Sequence, residues 1–278
     1  PGVKRYSIDR LPVILKQVQK YKIPMVALFP YTPDNKKDQN GSEALNPENL
    51  VCKSLRFIKK NYPEIGLMSD VALDPYTSHG HDGVIIKNKI DNDQTLKVLV
   101  KQAILQARMG CDVIAPSDMM DGRIGVIRKA LDKKKFHDVS ILSYAVKYAS
   151  SYYGPFRNAV GSKSKLMKDK KTYQMDYRNI TESFRETGLD IKEGADMIMI
   201  KPGMMYLDII NRLKKNFNVP ILAYQVSGEY SMIKNAINKK ILTEESILES
   251  ILSFKRAGAC AIITYFAIEI AKKLKKIN

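Results

Sequence analysis

Short apolar segments alternate with amphipathic helical patterns from one end of the chain to the other. Each apolar segment is too short for a helix and is rich in Val, Ile, Leu or Met, which is typical of strands buried on both faces of a parallel sheet. The predicted strands are residues 25–29, 65–71, 111–115, 139–144, 196–200, 220–224 and 261–264.

The segments between these strands have the spacing of helices. A helix is predicted over residues 7–21, before the first strand. Asn46 and Pro47 are typical of a cap and a first turn, and they predict a helix that continues through Lys60. Asp93 is the predicted cap of another helix. Its apolar stripe has members three and four residues apart, namely Leu96, Leu99, Val100, Ala103 and Ala107.

The same junction between a helix and the next strand occurs three times. Gly110, Gly194 and Gly258 each follow a helical segment and open a strand, and glycine ends helices in the left-handed conformation at little cost. Repeated βα units without a break in composition predict one domain over residues 1–278, with a parallel sheet.

No glycine-rich phosphate-binding motif follows any predicted strand, which disfavours an open nucleotide-binding sheet and favours a TIM (β/α)8 barrel. Seven strands are predicted where such a barrel has eight. Because the chain starts almost directly with a helix, we expect the first strand, and whatever precedes it, to lie outside this chain.

Composition narrows the class of protein. The chain has 278 residues, 45% of them hydrophobic and 27% charged, which is close to the average for globular domains. The longest apolar run, residues 257–268, is shorter than the roughly 18 residues of a membrane span, and the first residues lack the apolar core of a signal peptide. The three cysteines have no metal-binding spacing, so we expect reduced thiols in an intracellular or organellar space.

The formal net charge of +17 first suggests a polyanionic partner. The lysines, however, recur at helix ends and on polar faces. Trp is absent, and no basic stripe is interleaved with aromatic residues. We therefore expect no nucleic-acid partner, and an anionic small molecule would use only a few of these charges.

Two lysines follow neighbouring predicted strands. Lys147 comes after the strand at 139–144, and Lys201 after the strand at 196–200. A lysine among apolar residues at a strand end suits Schiff-base chemistry with a carbonyl, and two nearby ammonium groups lower each other's pKa. The alternative for either lysine alone is a side chain that extends to solvent.

The segment 70–83 is rich in polar side chains. Asp70, Asp74 and Asp82 lie there together with His79 and His81. A metal site is one interpretation, and a glycine-hinged lid whose histidines form hydrogen bonds is the other. The segment contains no cysteine, so a thiolate zinc site is not available in it.

Several long motifs resemble one family, 5-aminolevulinate dehydratase, also called porphobilinogen synthase, over essentially the whole chain. The motifs are DVALDPYTSHGHDG (70–83), APSDMMDGRI (115–124), SYAVKYAS (143–150), YGPFRNA (153–159), TYQMD (172–176), MIKPGMMYLD (199–208), YQVSGEYSMI (224–233), and RAGA followed by ITYFA (256–267). The resemblance implies a TIM barrel and a hydro-lyase of tetrapyrrole and heme biosynthesis. Two molecules of 5-aminolevulinate would condense to porphobilinogen with loss of two waters.

The resemblance also assigns roles to residues. Lys147 matches the A-side lysine and Lys201 the P-side lysine, each expected to form a Schiff base. The implied substrate-binding residues are Asp70, Asp74, Asp82, Ser117, Asp118, Arg157, Lys170, Gln174, Ser227 and Tyr265. Arg157 and Lys170 would bind one substrate carboxylate, with Gln174 near it, and Ser227 and Tyr265 would bind the other.

Lys170 departs from the family, because many members have arginine at this position. Lysine keeps the positive charge but loses the bidentate geometry, so a weaker contact with the carboxylate is expected.

The same resemblance bears on metal ions. Zinc-type members have three cysteines where this chain has Ala72, Asp74 and Asp82, so the chain is similar to the aspartate-rich, magnesium-responsive type, and no zinc is expected. Asp74 and Asp82 either bind metal or receive the substrate ammonium, and the second role is favoured. Glu229 resembles the carboxylate of an allosteric Mg²⁺ site at a subunit boundary, although a carboxylate at a helix N-terminus is also favoured by the helix dipole.

Family members commonly form homo-octamers through an N-terminal arm, so a homo-oligomer is expected where that arm is present. The expected compartment is the cytoplasm or a plastid. Two alternatives remain at this point. One is a class I aldolase-like Schiff-base lyase, which needs one essential lysine, and the other is a nucleic-acid-binding barrel.

Overall fold

The computed structural model of the chain describes residues 2–159 and 169–277. The helices in these ranges are α1 (Leu11–Lys20), α2 (Leu50–Asn61), α3 (Asn92–Arg108), α4 (Arg123–Lys133), α5 (Gly154–Ala159), α6 (Thr181–Glu193), α7 (Leu207–Asn216), α8 (Ser227–Asn238), α9 (Glu245–Ala257) and α10 (Ala267–Ile277). The strands are β1 (Met25–Leu28), β2 (Gly66–Val71), β3 (Ile85–Ile86), β4 (Lys89–Ile90), β5 (Val113–Pro116), β6 (Ser140–Lys147), β7 (Met197–Lys201), β8 (Ile221–Tyr224) and β9 (Ala261–Ile263). None of the described helices is both long enough and apolar enough to cross a bilayer.

Seven of the strands form one parallel sheet, in the order β1-β2-β5-β6-β7-β8-β9. These are the seven strands that the sequence predicts, and they curve into a nearly closed barrel with helices outside, so the expected α/β barrel is confirmed. The two remaining strands, β3 and β4, pair antiparallel as a short hairpin that follows the polar segment 70–83.

The alternation of side chains along β7 directs Lys201 into the barrel. Ile198 and Ile200 pack outward in the large core between sheet and helices. Met199 packs inward in a second cluster, which fills the barrel. Because successive side chains of a strand point to opposite faces, Lys201 lies on the inner face with Met199.

A bulge in β6 directs the other lysine. The pairing with β7 advances three residues along β6, from Ser143 to Val146, while it advances two along β7. Tyr144 packs inside the barrel whereas Val146 packs outside. Simple alternation would place Val146 inside and Lys147 outside, so the extra residue reverses the facing of the strand end. As a result, the backbone of Lys147 pairs with that of Lys201.

Two predicted helix caps are wrong by two or three residues. Helix α2 is capped by Asn49 and α3 by Asp91, and each side chain accepts a hydrogen bond from the main-chain N–H three residues further on, at 2.8 Å. Asn46 instead accepts from the N–H of Glu48 in the preceding turn, at 2.9 Å. Asp93 lies within the first turn of α3.

The three glycine junctions have the predicted conformation. The φ angles of Gly110, Gly194 and Gly258 are 94°, 105° and 115°. Side chains with a Cβ rarely adopt these values, so glycine allows each helix to end and the next strand to begin within two or three residues.

Candidate active site

The structure brings the two predicted lysines together at the C-terminal ends of neighbouring strands. Lys147 and Lys201 are backbone partners in the pairing of β6 with β7. Their exposed fractions are 5% and 8%. The positive charge of Lys147, held this close in a desolvated barrel mouth, disfavours protonation of Lys201.

Aromatic rings surround the Lys201 amine. The distances from Nζ to the ring centroids are 4.7 Å for Tyr224, 5.2 Å for Tyr144, and 5.4 Å for both Tyr153 and Phe156. Within the described part of the chain, Nζ has no hydrogen-bond or ion-pair partner. Burial, and next the charge of Lys147, lower the pKa of Lys201 to about 7. About half of this side chain is therefore the neutral, nucleophilic amine near neutral pH.

Lys147 has polar partners instead. Its Nζ donates a hydrogen bond to the main-chain carbonyl oxygen of Ser117, just after β5, and another to Asp82 Oδ1 at 3.3 Å. The two lysines therefore have different surroundings, one apolar and aromatic, the other hydrogen-bonded.

Asp82 lies at the centre of a charged cluster. Its Oδ2 is 2.6 Å from Lys170 Nζ and accepts a hydrogen bond from the Tyr173 hydroxyl at 2.8 Å. Burial alone would raise the pKa of Asp82, but the ammonium groups of Lys147 and Lys170 hold this pKa well below its usual range. Lys170 Nζ also donates to Asp74 Oδ2 at 3.1 Å. The Lys170 ammonium thus bridges the two aspartates for which the sequence suggested a metal ion or a substrate ammonium.

Asp70 lies in β2, two residues after Met68, so its side chain points into the barrel as that of Met68 does. Its Oδ1 is buried and has no hydrogen-bond partner among the described residues. Burial, and next the charge of Asp74, raise the pKa of Asp70 to about 6. An unsatisfied carboxylate oxygen in the barrel mouth is suited to accept a hydrogen bond from a bound ammonium group.

The predicted carboxylate binders line two separate cavities. Arg157, Lys170 and Gln174 share a cavity of about 470 Å³, and Lys170 connects it to Lys147 through Asp82. The Gln174 Oε1 atom is buried there and has no hydrogen-bond partner in the described part of the chain.

The second cavity, of about 280 Å³, is lined by Ser227, Tyr265 and Phe156, the last being one of the rings beside Lys201. Ser227 is the first residue of α8, and its Oγ accepts a hydrogen bond from Phe156 N at 2.9 Å. The Tyr265 hydroxyl is hydrogen-bonded to Tyr224, and burial raises its pKa.

Asp118, which the resemblance implies as a substrate-binding residue, is fully buried. It is 0% exposed, and it lines neither cavity. Its Oδ1 accepts from the N–H of Met120 at 2.8 Å, and its Oδ2 is 3.7 Å from Arg123 Nε. Burial raises the pKa of Asp118 to about 6, even though the Arg123 guanidinium opposes the shift. Its neighbour Ser117 contacts Lys147 through the main-chain carbonyl.

Glu229 occupies the first turn of α8, as the helix-dipole interpretation predicts. Its two oxygens accept hydrogen bonds from the N–H groups of Met204 and Val226, both at 2.8 Å. The residue is 0% exposed, and burial raises its pKa to about 7. The carboxylate therefore does not fit a direct Mg²⁺ ligand in this conformation. Among residues 2–159 and 169–277, no group of three or more His, Cys, Asp or Glu side chains is arranged to hold a metal ion.

The two histidines of the polar segment form hydrogen bonds. His79 Nε2 lies 3.1 Å from the Gln39 carbonyl oxygen, and His81 Nδ1 lies 2.9 Å from the Tyr173 hydroxyl. Burial lowers the pKa of His79. These contacts match the lid interpretation of the segment better than the metal interpretation.

Of the aromatic residues of the site, sequence reasoning found Tyr265 and missed five others. Tyr173 joins His81 to Asp82, and four rings surround Lys201. All five side chains stand in the quoted motifs, and four of them, all but Tyr224, are close to a lysine or an arginine in the sequence, which was the available signal.

Comparisons with known proteins agree with this geometry. The family model for delta-aminolevulinic acid dehydratase matches residues 1–273. The chain is 55% identical, over 99% of its length and 78% of the relative's, to delta-aminolevulinic acid dehydratase of Bradyrhizobium diazoefficiens. It is 53% identical to the chloroplastic enzyme of Physcomitrium patens, over 90% of this chain and 58% of that one.

A solved structure is also similar. It is the delta-aminolevulinic acid dehydratase (porphobilinogen synthase) of Toxoplasma gondii ME49 in complex with the reaction product porphobilinogen. The TM-score is 0.96 and the identity 46%, covering 98% of this chain and 78% of that one.

Proposed function

Since the chain belongs to the delta-aminolevulinic acid dehydratase family, we propose that it condenses two molecules of 5-aminolevulinate to porphobilinogen through Schiff bases on Lys201 and Lys147. The reaction joins the two substrates and releases two waters. The observation that best supports this proposal is that the two buried lysines are backbone partners in the pairing of β6 with β7. The family also decides against the class I aldolase-like alternative, which needs only one such lysine.

Lys201 forms the first Schiff base in this proposal. Its depressed pKa provides the neutral amine that attacks a ketone, and its apolar surroundings exclude water from the imine. Lys147, which is held by Ser117 and Asp82, attaches the second substrate. Holding both substrates covalently removes most of the entropy cost of aligning them.

The two cavities receive the two substrate carboxylates. Arg157, with its fork of donors, binds one together with Gln174, and Ser227 with Tyr265 binds the other. Lys170 contributes to the first site only when its ammonium leaves Asp74 and Asp82 and binds the substrate carboxylate instead. The substrate ammonium then takes its place beside these aspartates, which is the amine role favoured from the sequence.

Magnesium dependence, assembly into a homo-octamer and a cytoplasmic or plastid location are further proposals. Mg²⁺ would act as an allosteric ion. Both Glu229 oxygens accept main-chain N–H groups, and the ion has no part in the proposed catalytic steps. Bacterial and chloroplastic relatives support either compartment.

The test uses purified protein and 5-aminolevulinate alone. We expect porphobilinogen, measured as its coloured aldehyde adduct, and a covalent adduct on Lys201 after borohydride reduction, located by mass spectrometry. Lys201→Met and Lys147→Met should each abolish product, while Lys215→Met, a change of an exposed lysine in the last turn of α7, should leave activity intact. Full activity of either of the first two variants would overturn the two-lysine proposal.

A further inference from the structure

We propose that the four rings around Lys201 form a cation-binding cage that stabilises the iminium during catalysis. Tyr144, Tyr153, Phe156 and Tyr224 are catalytic residues in this proposal, since their ring faces contact the reacting nitrogen. The inference rests on the proposed Schiff base at Lys201, and it adds the groups that hold its charge.

The geometry of the four rings is that of cation–π contacts. All four centroids lie 4.7–5.4 Å from Nζ, inside the roughly 6 Å over which a cation is attracted to the face of a ring. The rings come from separate parts of the fold, namely β6, the turn before α5, α5 itself and β8. They therefore enclose the nitrogen from several directions.

The positive charge of the iminium develops on the nitrogen of a buried side chain, where little water can solvate it, so protein groups must stabilise it. The Lys201 ammonium and a ketone give an iminium and one water: the nitrogen forms a bond to the carbonyl carbon, and the carbonyl oxygen leaves with two of the nitrogen's protons. The charge stays on a nitrogen that keeps a single N–H. No carboxylate among the described residues forms an ion pair with Nζ, and Asp70, Asp74 and Asp82 act on it only from a longer range, whereas the ring faces contact it directly.

Contacts within the protein hold the rings of the cage in place. The Tyr153 hydroxyl donates hydrogen bonds to the carbonyl oxygens of Tyr148 at 2.7 Å and of Lys201 itself at 3.0 Å. Phe156 packs edge-on against Phe29, with centroids 5.4 Å apart. Groups that are already in place need no reorganisation when the charge develops, so their stabilisation acts fully in the transition state.

Fluorination of one ring tests the electrostatic role without removing bulk. We would replace Phe156 by 4-fluoro-, 3,5-difluoro- and 3,4,5-trifluorophenylalanine, which weaken the negative potential of the ring face stepwise. We expect kcat/KM and the rate of borohydride-trapped adduct formation on Lys201 to fall with each fluorine, by about tenfold at the trifluoro ring. The same series at Phe184, which packs against Phe217 outside the barrel, is the control and should have no effect.

The outcomes separate this inference from the function on which it rests. If the wild-type protein traps no substrate on Lys201, the Schiff-base proposal fails. If trapping occurs but the Phe156 series leaves both rates unchanged, the cage is only a steric wall and the inference is wrong. A second pair of variants addresses Tyr144, whose hydroxyl has no hydrogen-bond partner in residues 2–159 and 169–277. Tyr144→Phe should keep the trapping rate, and Tyr144→Leu should lower it.

Discussion

Replacing Lys201 by methionine should stabilise the protein, and the gain should shrink as the pH rises. Lys201 is buried, and its pKa falls from 10.5 to about 7 in the folded chain. Between these two pH values the unfolded chain binds a proton that the folded chain does not, so the free energy of unfolding rises with pH. Methionine has a similar shape and carries no proton, so it removes this dependence.

The magnitude follows from the two pKa values. The difference in proton binding destabilises the folded protein by about 4 kcal/mol at pH 7 and by about 2 kcal/mol at pH 9. Differences in packing between lysine and methionine do not change with pH, so they cancel when the two conditions are compared. The stability advantage of Lys201→Met should therefore fall by about 2 kcal/mol between pH 7 and pH 9.

Urea unfolding followed by circular dichroism at pH 7, 8 and 9 measures this change. Lys171→Met, at an exposed position, is the matched control and should differ from wild type by the same small amount at every pH. A stability difference between Lys201→Met and wild type that stays constant within about 0.5 kcal/mol from pH 7 to pH 9 would refute the argument. Such a result would mean that the folded protein holds Lys201 as an ordinary ammonium.

Two further predictions concern the framework of the barrel. Arg123→Met removes the guanidinium that lies 3.7 Å from Asp118 and 3.4 Å from Asp190. Because these buried carboxylates are then left unpaired, the free energy of unfolding should fall by about 3–5 kcal/mol. A loss below about 1 kcal/mol in urea unfolding would contradict this. Gly258→Ala should lower Tm more than Gly122→Ala. Both positions have a left-handed φ, but only at Gly258 would the new Cβ lie 2.8 Å from a side-chain atom of α7. Equal Tm shifts in the two variants would show that backbone strain alone matters.

The strands, the parallel sheet and the glycine junctions could be predicted because each depends on residues close together in the sequence. Buried parallel strands need continuous short apolar runs, and a left-handed helix end needs glycine, so the pattern is sufficient. The exact cap residue of a helix could not be predicted in this way. Several Asn and Asp side chains stand near each helix start, and only local backbone geometry selects Asn49 and Asp91.

The active site was predicted in its residues but not in its arrangement. Lys147 and Lys201 could be recognised at strand ends, and the motifs pointed to the aspartates. However, Lys170 lies between Asp74 and Asp82 through contacts that span about 90 residues of sequence, and no local pattern reports such a contact. The rings around the Lys201 amine also come from parts of the chain that are distant from Lys201 in the sequence.

The sequence by itself determined the barrel, its elements and the two candidate nucleophiles, because hydrophobic periodicity and strand length follow from local chemistry. Only the tertiary structure decided where the second lysine points. Strict alternation would place Lys147 outside the barrel, and a single extra residue in the pairing of β6 with β7 turns it to the mouth. The tertiary structure likewise decided that Glu229 is buried and accepts hydrogen bonds from main-chain N–H groups. Both outcomes depend on partners distant in the sequence, whose positions exist only once the barrel has folded.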